Sequence, residues 1–353
     1  MKERLAQLKE LARKVAPKVG FPIFYLFCFV LFCSWSFPFE RLKERIVLGY
    51  NAAQRAGGSQ QELEIDDISS SWITGVTMHG VRLVSPPSEP LKPPSEFKID
   101  DATLRISLLG LLVGNRDLSF KVHAFGGTVD GSYDDHGKSH SIAVDIDGID
   151  IGKMPPVVDT FGGLPVQGTL AGAIKLDMPP EEKIAGTPKT NGQVSLEITD
   201  MAIGDGKTKI KIPMFGELPV PRLNVGSFAF VGEAKDGVLN VKKFGSGGKD
   251  LELAGDGRMQ LRDQWMETGL DLNVRVKVND AFRGKSDMTK LVFGAPGTNS
   301  AIFDTFEIKK GVQISKAKRS DGFYAWHFRG QLGHPDYAPA GGGSFPAAPS
   351  KGP

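Results

Sequence analysis

Hydrophobic residues follow three successive patterns along this chain. From Val19 to Phe37 they are nearly continuous, nineteen residues reading VGFPIFYLFCFVLFCSWSF without a charge. After Pro38 they fall at spacings of three and four. Phe39, Leu42, Ile46, Tyr50 and Ala53 share one helical face, with Glu40, Arg41, Lys43, Glu44 and Arg45 around the rest. Pro38 suits the first turn of such a helix and Gly57-Gly58 its stop. Spacing alone leaves two surroundings open for that face, the outer surface of a bilayer or the end of a following sheet.

From Gln60 onward the period falls to two. In SIAVDIDG, Ile142, Val144 and Ile146 alternate with Asp145 and Asp147, and Val194, Leu196 and Ile198 alternate with Ser195, Glu197 and Thr199. In GLDLNVRVKVND, Leu270, Leu272, Val274, Val276 and Val278 face inward while Asp271, Asn273, Arg275 and Lys277 face water. Strands with one apolar and one wet face belong to antiparallel sheets. Connections rich in Gly, Pro, Asn and Asp separate them, so the fold class is mainly β, a long curved antiparallel meander. Helical interruptions are expected near Pro156–Phe161 and Asp280–Phe293. A weak repeat, Gly-x-apolar-x-Leu, opens at Gly172, Gly192 and Gly257, with a truncated copy at Gly330, and is expected to begin strands where neighbouring backbones crowd. A sheet this one-sided must fold over into a sandwich or cover its apolar face with something else, lipid included.

The apolar run approaches the ~20 residues that span a bilayer. Lys2, Arg4, Lys9, Arg13, Lys14 and Lys18 precede it against only Glu3 and Glu10, which holds the N-terminus in the cytoplasm and exports the rest. Its end, Trp35, Phe37, Pro38 and Phe39, lacks an Ala-x-Ala cleavage site and resembles an interfacial aromatic belt, so a retained anchor is expected. Phe21, Phe24, Leu26, Phe29, Leu31 and Trp35 would form its lipid-facing body. The expected organisation is a basic stub (1–18), a transmembrane helix (19–37), an amphipathic helix (38–58), a β-domain (59–333) and a disordered Pro/Gly/Ala tail (334–353). Both cysteines, Cys28 and Cys33, lie in the run, which leaves the exported part without disulfides or cysteine metal sites. Of the 43 basic and 41 acidic side chains, the stub holds six and two, leaving 37 and 39 beyond it. The exported part is slightly acidic and offers no nucleic-acid surface.

Candidate chemistry is sparse. His79, His123, His136, His140, His327 and His334 are scattered. The densest polar group, YDDHGKSH with Asp134, Asp135, His136 and His140, carries possible metal ligands, but Gly137 reads as a hairpin turn that leaves them solvated. No phosphate loop or G-x-S-x-G elbow is present. Asp66-Asp67 and Asp100-Asp101 are adjacent within strands, so their side chains are expected on opposite faces. No enzyme and no cofactor are expected.

The order of a basic stub, an anchor ending in FPFERLKERI, a short helix, then SSSWITGVTMHGVRLVSPP from Ser69 and GGLPVQGTLAGAIKLD from Gly162 resembles protein N of the type II secretion system (GspN), in its delta-proteobacterial and spirochaete form. The Gly-opened strands also resemble AsmA and its relatives. The likeness runs from about residue 19 to 333 and marks Trp72, Gly75, Gly80, Gly162 and Gly168 as structural positions. It implies a single-pass inner-membrane protein with a periplasmic β-domain, tethered beside other secretion subunits or the secretin. The AsmA-like character implies instead a groove that binds or transfers membrane lipid.

Overall fold

The computed structural model describes residues 20–341, except 23, 26, 30, 33–35, 37, 57–59, 73, 87–94, 138, 156, 158–162, 179–188, 213–215, 263–264, 299–300 and 310–311. Leu26, Trp35, Gly162, the basic stub and most of the expected 156–161 helix therefore lie outside the described residues.

Helix α1 (Phe39–Ala56) leads into strands β1 (Glu62–Ser71), β2 (Gly75–Ser85) and β3 (Ser95–Ile106). A short helix α2 (Leu108–Leu112), capped by Ser107, precedes β4 (Arg116–Ala124), β5 (Gly127–Asp135) and β6 (His140–Asp150). Next come β7 (Val166–Met178) and β8 (Asn191–Ile203), then the small hairpin β9 (Lys209–Ile212) and β10 (Gly216–Pro219). Strands β11 (Leu223–Lys235), β12 (Val238–Gly247), β13 (Leu251–Gln260) and β14 (Gly269–Val278) continue the main sheet. Helices α3 (Asp280–Arg283) and α4 (Asp287–Phe293) and the pair β15 (Glu307–Lys309) and β16 (Val312–Gln313) form an insertion before β17 (Tyr324–Gln331) and β18 (His334–Pro339).

Among the described residues, fourteen strands pair antiparallel in chain order, and the two small hairpins stand outside this sheet. Tight turns hold this meander. Asp236-Gly237 and Phe125-Gly126 both sit at positive φ, the two-residue hairpin geometry that matches strand twist. Phe125 is an unusual residue there, and its ring packs edge-on against Phe97 at 4.8 Å.

Packing against the sheet is concentrated at its two ends. Over β1–β3, α1 buries Phe39, Ile46, Val47 and Tyr50 against Leu63, Ile65, Ile68 and Val81. Each half-buried side chain of this kind contributes roughly 1 kcal/mol. The helix face thus meets protein, with Val47 added and Ala53 left exposed. Over β14 and β17, the insertion packs Ile314 and Ala317 on Tyr324, with Phe303, Phe306 and Trp326 around them. The expected helix at 280–293 is two helices, split at Gly284 and restarted by a capping box between Ser286 and Thr289.

Four expectations are corrected. Asp66 and Asp67 do not lie on opposite faces. Gly80 (φ +60°) skips pairing with both neighbours, and the apolar parity shifts there, so Ile65 and Ile68 enter one core and both carboxylates stay wet. Asp100-Asp101 occupies the same break in β3, between Ile99 and Ala102. Arg275 is buried rather than water-facing, its guanidinium 3.9 Å from Asp256. His334–Pro339 is strand rather than tail: it pairs with β17 and sets Tyr337 against Phe328. An edge strand has one side that needs no donors and so tolerates Pro335 and Pro339. Finally, Gly172 and Gly257 lie inside strands, and only Gly192 stands near a strand start.

Candidate functional site

The register assembles one apolar row across most of the sheet. Ala102 of β3 pairs with Val122, Val122 with Val129, Val129 with Ile146, and Ile146 with Gly172. Gly172 pairs with Leu196, Leu196 with Phe230, and Phe230 with Phe244. Beyond β12 the same face continues through Gly255, Val274 and Trp326. A parallel row runs from Leu104 through Phe120, Gly131, Val144 and Ile174 to Val194.

Burial decides what this face meets. In β8 the pattern strictly alternates between exposed and half-buried over Asn191–Thr199. Val129, Val144, Ile146, Ile174, Leu196 and Phe230 are half-buried, never fully. A side chain between two packed sheets is fully buried, whereas one flanked only by neighbouring strands keeps about this much exposure. The buried apolar residues of the central strands, such as Ala124, Ile149, Val166 and Leu239, lie near strand ends beside turns. Mid-strand, the apolar face from β4 to β13 meets no second layer among the described residues.

Glycines shape this floor. A Cβ on Gly131 would lie 2.2 Å from the Phe120 ring, and one on Gly255 2.6 Å from the Phe244 ring. Each aromatic ring therefore covers a glycine on the adjacent strand, flattening the surface. Phe228 and Phe230 meet Phe244 edge-on at 5.2 and 6.2 Å. The uncovered stretch spans eight strands, or roughly 34 Å at normal strand spacing. The acyl chains of one bilayer leaflet occupy about 15 Å of depth. Helix α1 lies over one end of this apolar face and the insertion over the other.

The opposite face is polar. Ser69 Oγ lies 3.1 Å from His79 Nε2, and His79 Nδ1 contacts Asp101, across β1, β2 and β3. This connectivity is that of a nucleophile, base and orienting acid. The sequence patterns concealed it, because the three residues meet only through strand register. Acyl transfer also needs oxyanion donors in a water-excluded cleft. Here the site lies on the wet face, with the His79 and Asp101 side chains each 44% exposed. The trio forms a cross-strand polar network beside the Gly80 break, where Asp66 separately pairs with Arg82 at 2.8 Å. A shallow cleft of about 380 Å³ lies alongside, lined by Thr103, Arg105, Ser119, Phe120, Lys121 and Asp130 among others.

Three of the other histidines follow the same pairing habit. His140 contacts Tyr133 and Asp135, His136 lies 3.8 Å from Asp117, and His327 lies 2.7 Å from Asp271. Gly137 (φ +71°) does form the β5–β6 turn, its N–H donating to Asp135. No group of three metal-ligating side chains occurs among the described residues. In the capping insertion, burial and the hydrogen bond to Asp304 push the Tyr324 phenol well above its usual range, so it stays protonated there.

The other positions singled out in the sequence divide. Gly75 starts β2, where a Cβ would lie 2.7 Å from the Ser71 carbonyl, and Gly168 abuts Ile198 in β7. Trp72 is exposed at the β1–β2 tip. Phe21, Phe24, Phe29 and Leu31 lie on helical residues and are exposed. No helix among the described residues is long and apolar enough to cross a membrane. No family description, curated protein or solved structure matches the chain.

Proposed function

We propose that this chain is a membrane-anchored periplasmic carrier whose sheet holds lipid acyl chains along its apolar face. The observation that carries the reading is the unbroken apolar row from β3 to β14, half-buried at every mid-strand position of β5 to β8. Leaving such an area to water forgoes roughly 25 cal/mol for each Å² left uncovered, a cost that a bound acyl chain removes. The capped ends favour a carrier that holds lipid over a conduit that passes it along. The run Val19–Phe37, with its basic flank, supplies the anchor.

A photo-reactive residue placed at Ile174 in the full chain, in native membranes, tests this. Lipid adducts are expected at Ile174 and not at its outward neighbour Lys175. Equal labelling at both, or none at either, sinks the trough.

The resemblance to secretion protein N supports a second reading, a structural component tethered near other secretion subunits or the secretin, with anchoring raising its local concentration. One observation favours a strand-pairing contact. The sheet ends on β1, ten residues without proline, while the other edge, β18, carries Pro335 and Pro339. A partner strand would add to β1 beyond Asp66, since Asn51 and Lys43 of α1 already bind the Leu63 amide and carbonyl and the Asp66 carbonyl. Cross-linking from β1 in cells should then capture a secretion subunit, and failure to capture one removes this reading alone.

A further inference from the structure

We infer that one end of the sheet, built from the β1–β2 tip and the α2 segment, dips into the bilayer from which the chain emerges; this rests on the anchor reading above. Trp72 and Leu112 are each 82% exposed and Val113 is 74% exposed, with Leu108 and Leu111 about half exposed. These residues lie at the same end of neighbouring strands β1 to β4. The Thr74 carbonyl accepts a hydrogen bond from the Ile106 amide at 3.1 Å, joining the tip to the chain that enters α2.

Three observations select a membrane as the occupant. First, Trp72 sits at φ +59°, a strained backbone for a bulky residue, with its side chain in solvent. Strain and exposure together mean that this tryptophan contributes little to the fold, and such an outlier points to use elsewhere. Second, the patch has the layering of an interface. Aliphatic Leu111, Leu112 and Val113 stand outermost beside an amphipathic Trp, and exposed Arg105 and Arg116 stand at the base where phosphate groups would lie. Third, α1 runs antiparallel to β1. Arg55 and Asn51 bind Glu62 and Leu63 near the start of the strand, while Lys43 reaches Asp66 further along it. Phe39 therefore lies toward the Trp72 end, and the chain enters α1 from that end. Trp265 and Met266, also exposed, occupy a turn on that same side of the meander.

The consequence is orientation. A single span lets the sheet swivel, whereas a second contact beside it, at the β1–β2 tip and α2, sets that edge of the sheet against the leaflet, so that a chain can slide in without crossing water. Interfacial contacts of this sort bury apolar groups about 5–10 Å into the headgroup boundary.

The test uses the full chain with Cys28→Ser and Cys33→Ser, reconstituted in phosphatidylethanolamine and phosphatidylglycerol vesicles. An environment-sensitive fluorophore is attached at Leu112→Cys, at Trp72→Cys, or at Leu291→Cys on the opposite side. Blue-shifted emission and loss of intensity with doxyl-labelled lipid are expected at the first two positions and not at the third. A chain that floats with the vesicles yet reports water at both tip positions overturns the inference and leaves the anchor standing. A chain that does not float removes the anchor and the inference together.

Discussion

Gly192 lies at φ +144°, with the Lys175 carbonyl 2.0 Å from where a Cβ would be. Alanine there meets both an unfavourable backbone region and a neighbour that cannot move without breaking the ladder. Gly192→Ala is expected to cost roughly 2 to 4 kcal/mol, read as a lower urea midpoint at unchanged slope. Gly206→Ala, at φ +77° in an open turn, is expected to cost only about 1 kcal/mol. Equal losses at the two sites would deny the crowding. The sequence flagged this glycine correctly, because a repeated Gly among alternating apolar residues signals close backbones. It did not reveal Ser69, His79 and Asp101 as neighbours, since their contact depends on which residue of each strand sits opposite which. Nor did it mark Leu108–Val113, a short apolar run with neither period.

Strand β14 shows how far an element can be read. Its alternation was legible over five apolar positions, and the register with β13 and β17 places all five on one face. Arg275 escaped the pattern because its surroundings come from elsewhere in the fold. On the wet face, Asp271 joins β14 to β17 through His327 and to β13 through Arg258. The hydrogen bond with His327 holds the Asp271 carboxyl below its usual range; burial opposes this, and the charges of His327 and Arg258 add to it. A depressed folded pKa means the stabilisation is complete above about pH 3.9, the unfolded value, and is lost as pH falls through the folded one. Asp271→Asn should therefore flatten the acid limb of a stability–pH curve, with no change near neutrality in its slope. An identical acid limb in the variant would show that the carboxylate contributes nothing there. For α1, the apolar stripe was plain but its partner was not, because a helix face does not say whether lipid or a sheet will cover it.

The whole molecule was legible in class and not in closure. Alternating strands and short turns specify an antiparallel meander, yet the same pattern serves a sandwich, which buries the apolar face, and a trough, which leaves it open. Twist, curvature and the placement of α1 and the 280–317 insertion decide between them, and a period of two encodes none of these. The two caps leave an apolar floor of about eight strands with only side neighbours. Charges placed on that floor should be tolerated by the fold, since the sites are half-exposed, but not by an acyl chain. The most direct measurement is the lipid that copurifies with the full chain and with Val144→Glu/Ile174→Glu, set against Ser141→Glu/Lys175→Glu on the outer face. The account predicts lipid at a fixed ratio with the parent chain and the outer-face variant, lost in the floor variant while its thermal unfolding stays close to the parent's. Equal lipid in all three, or none in the parent, would contradict it.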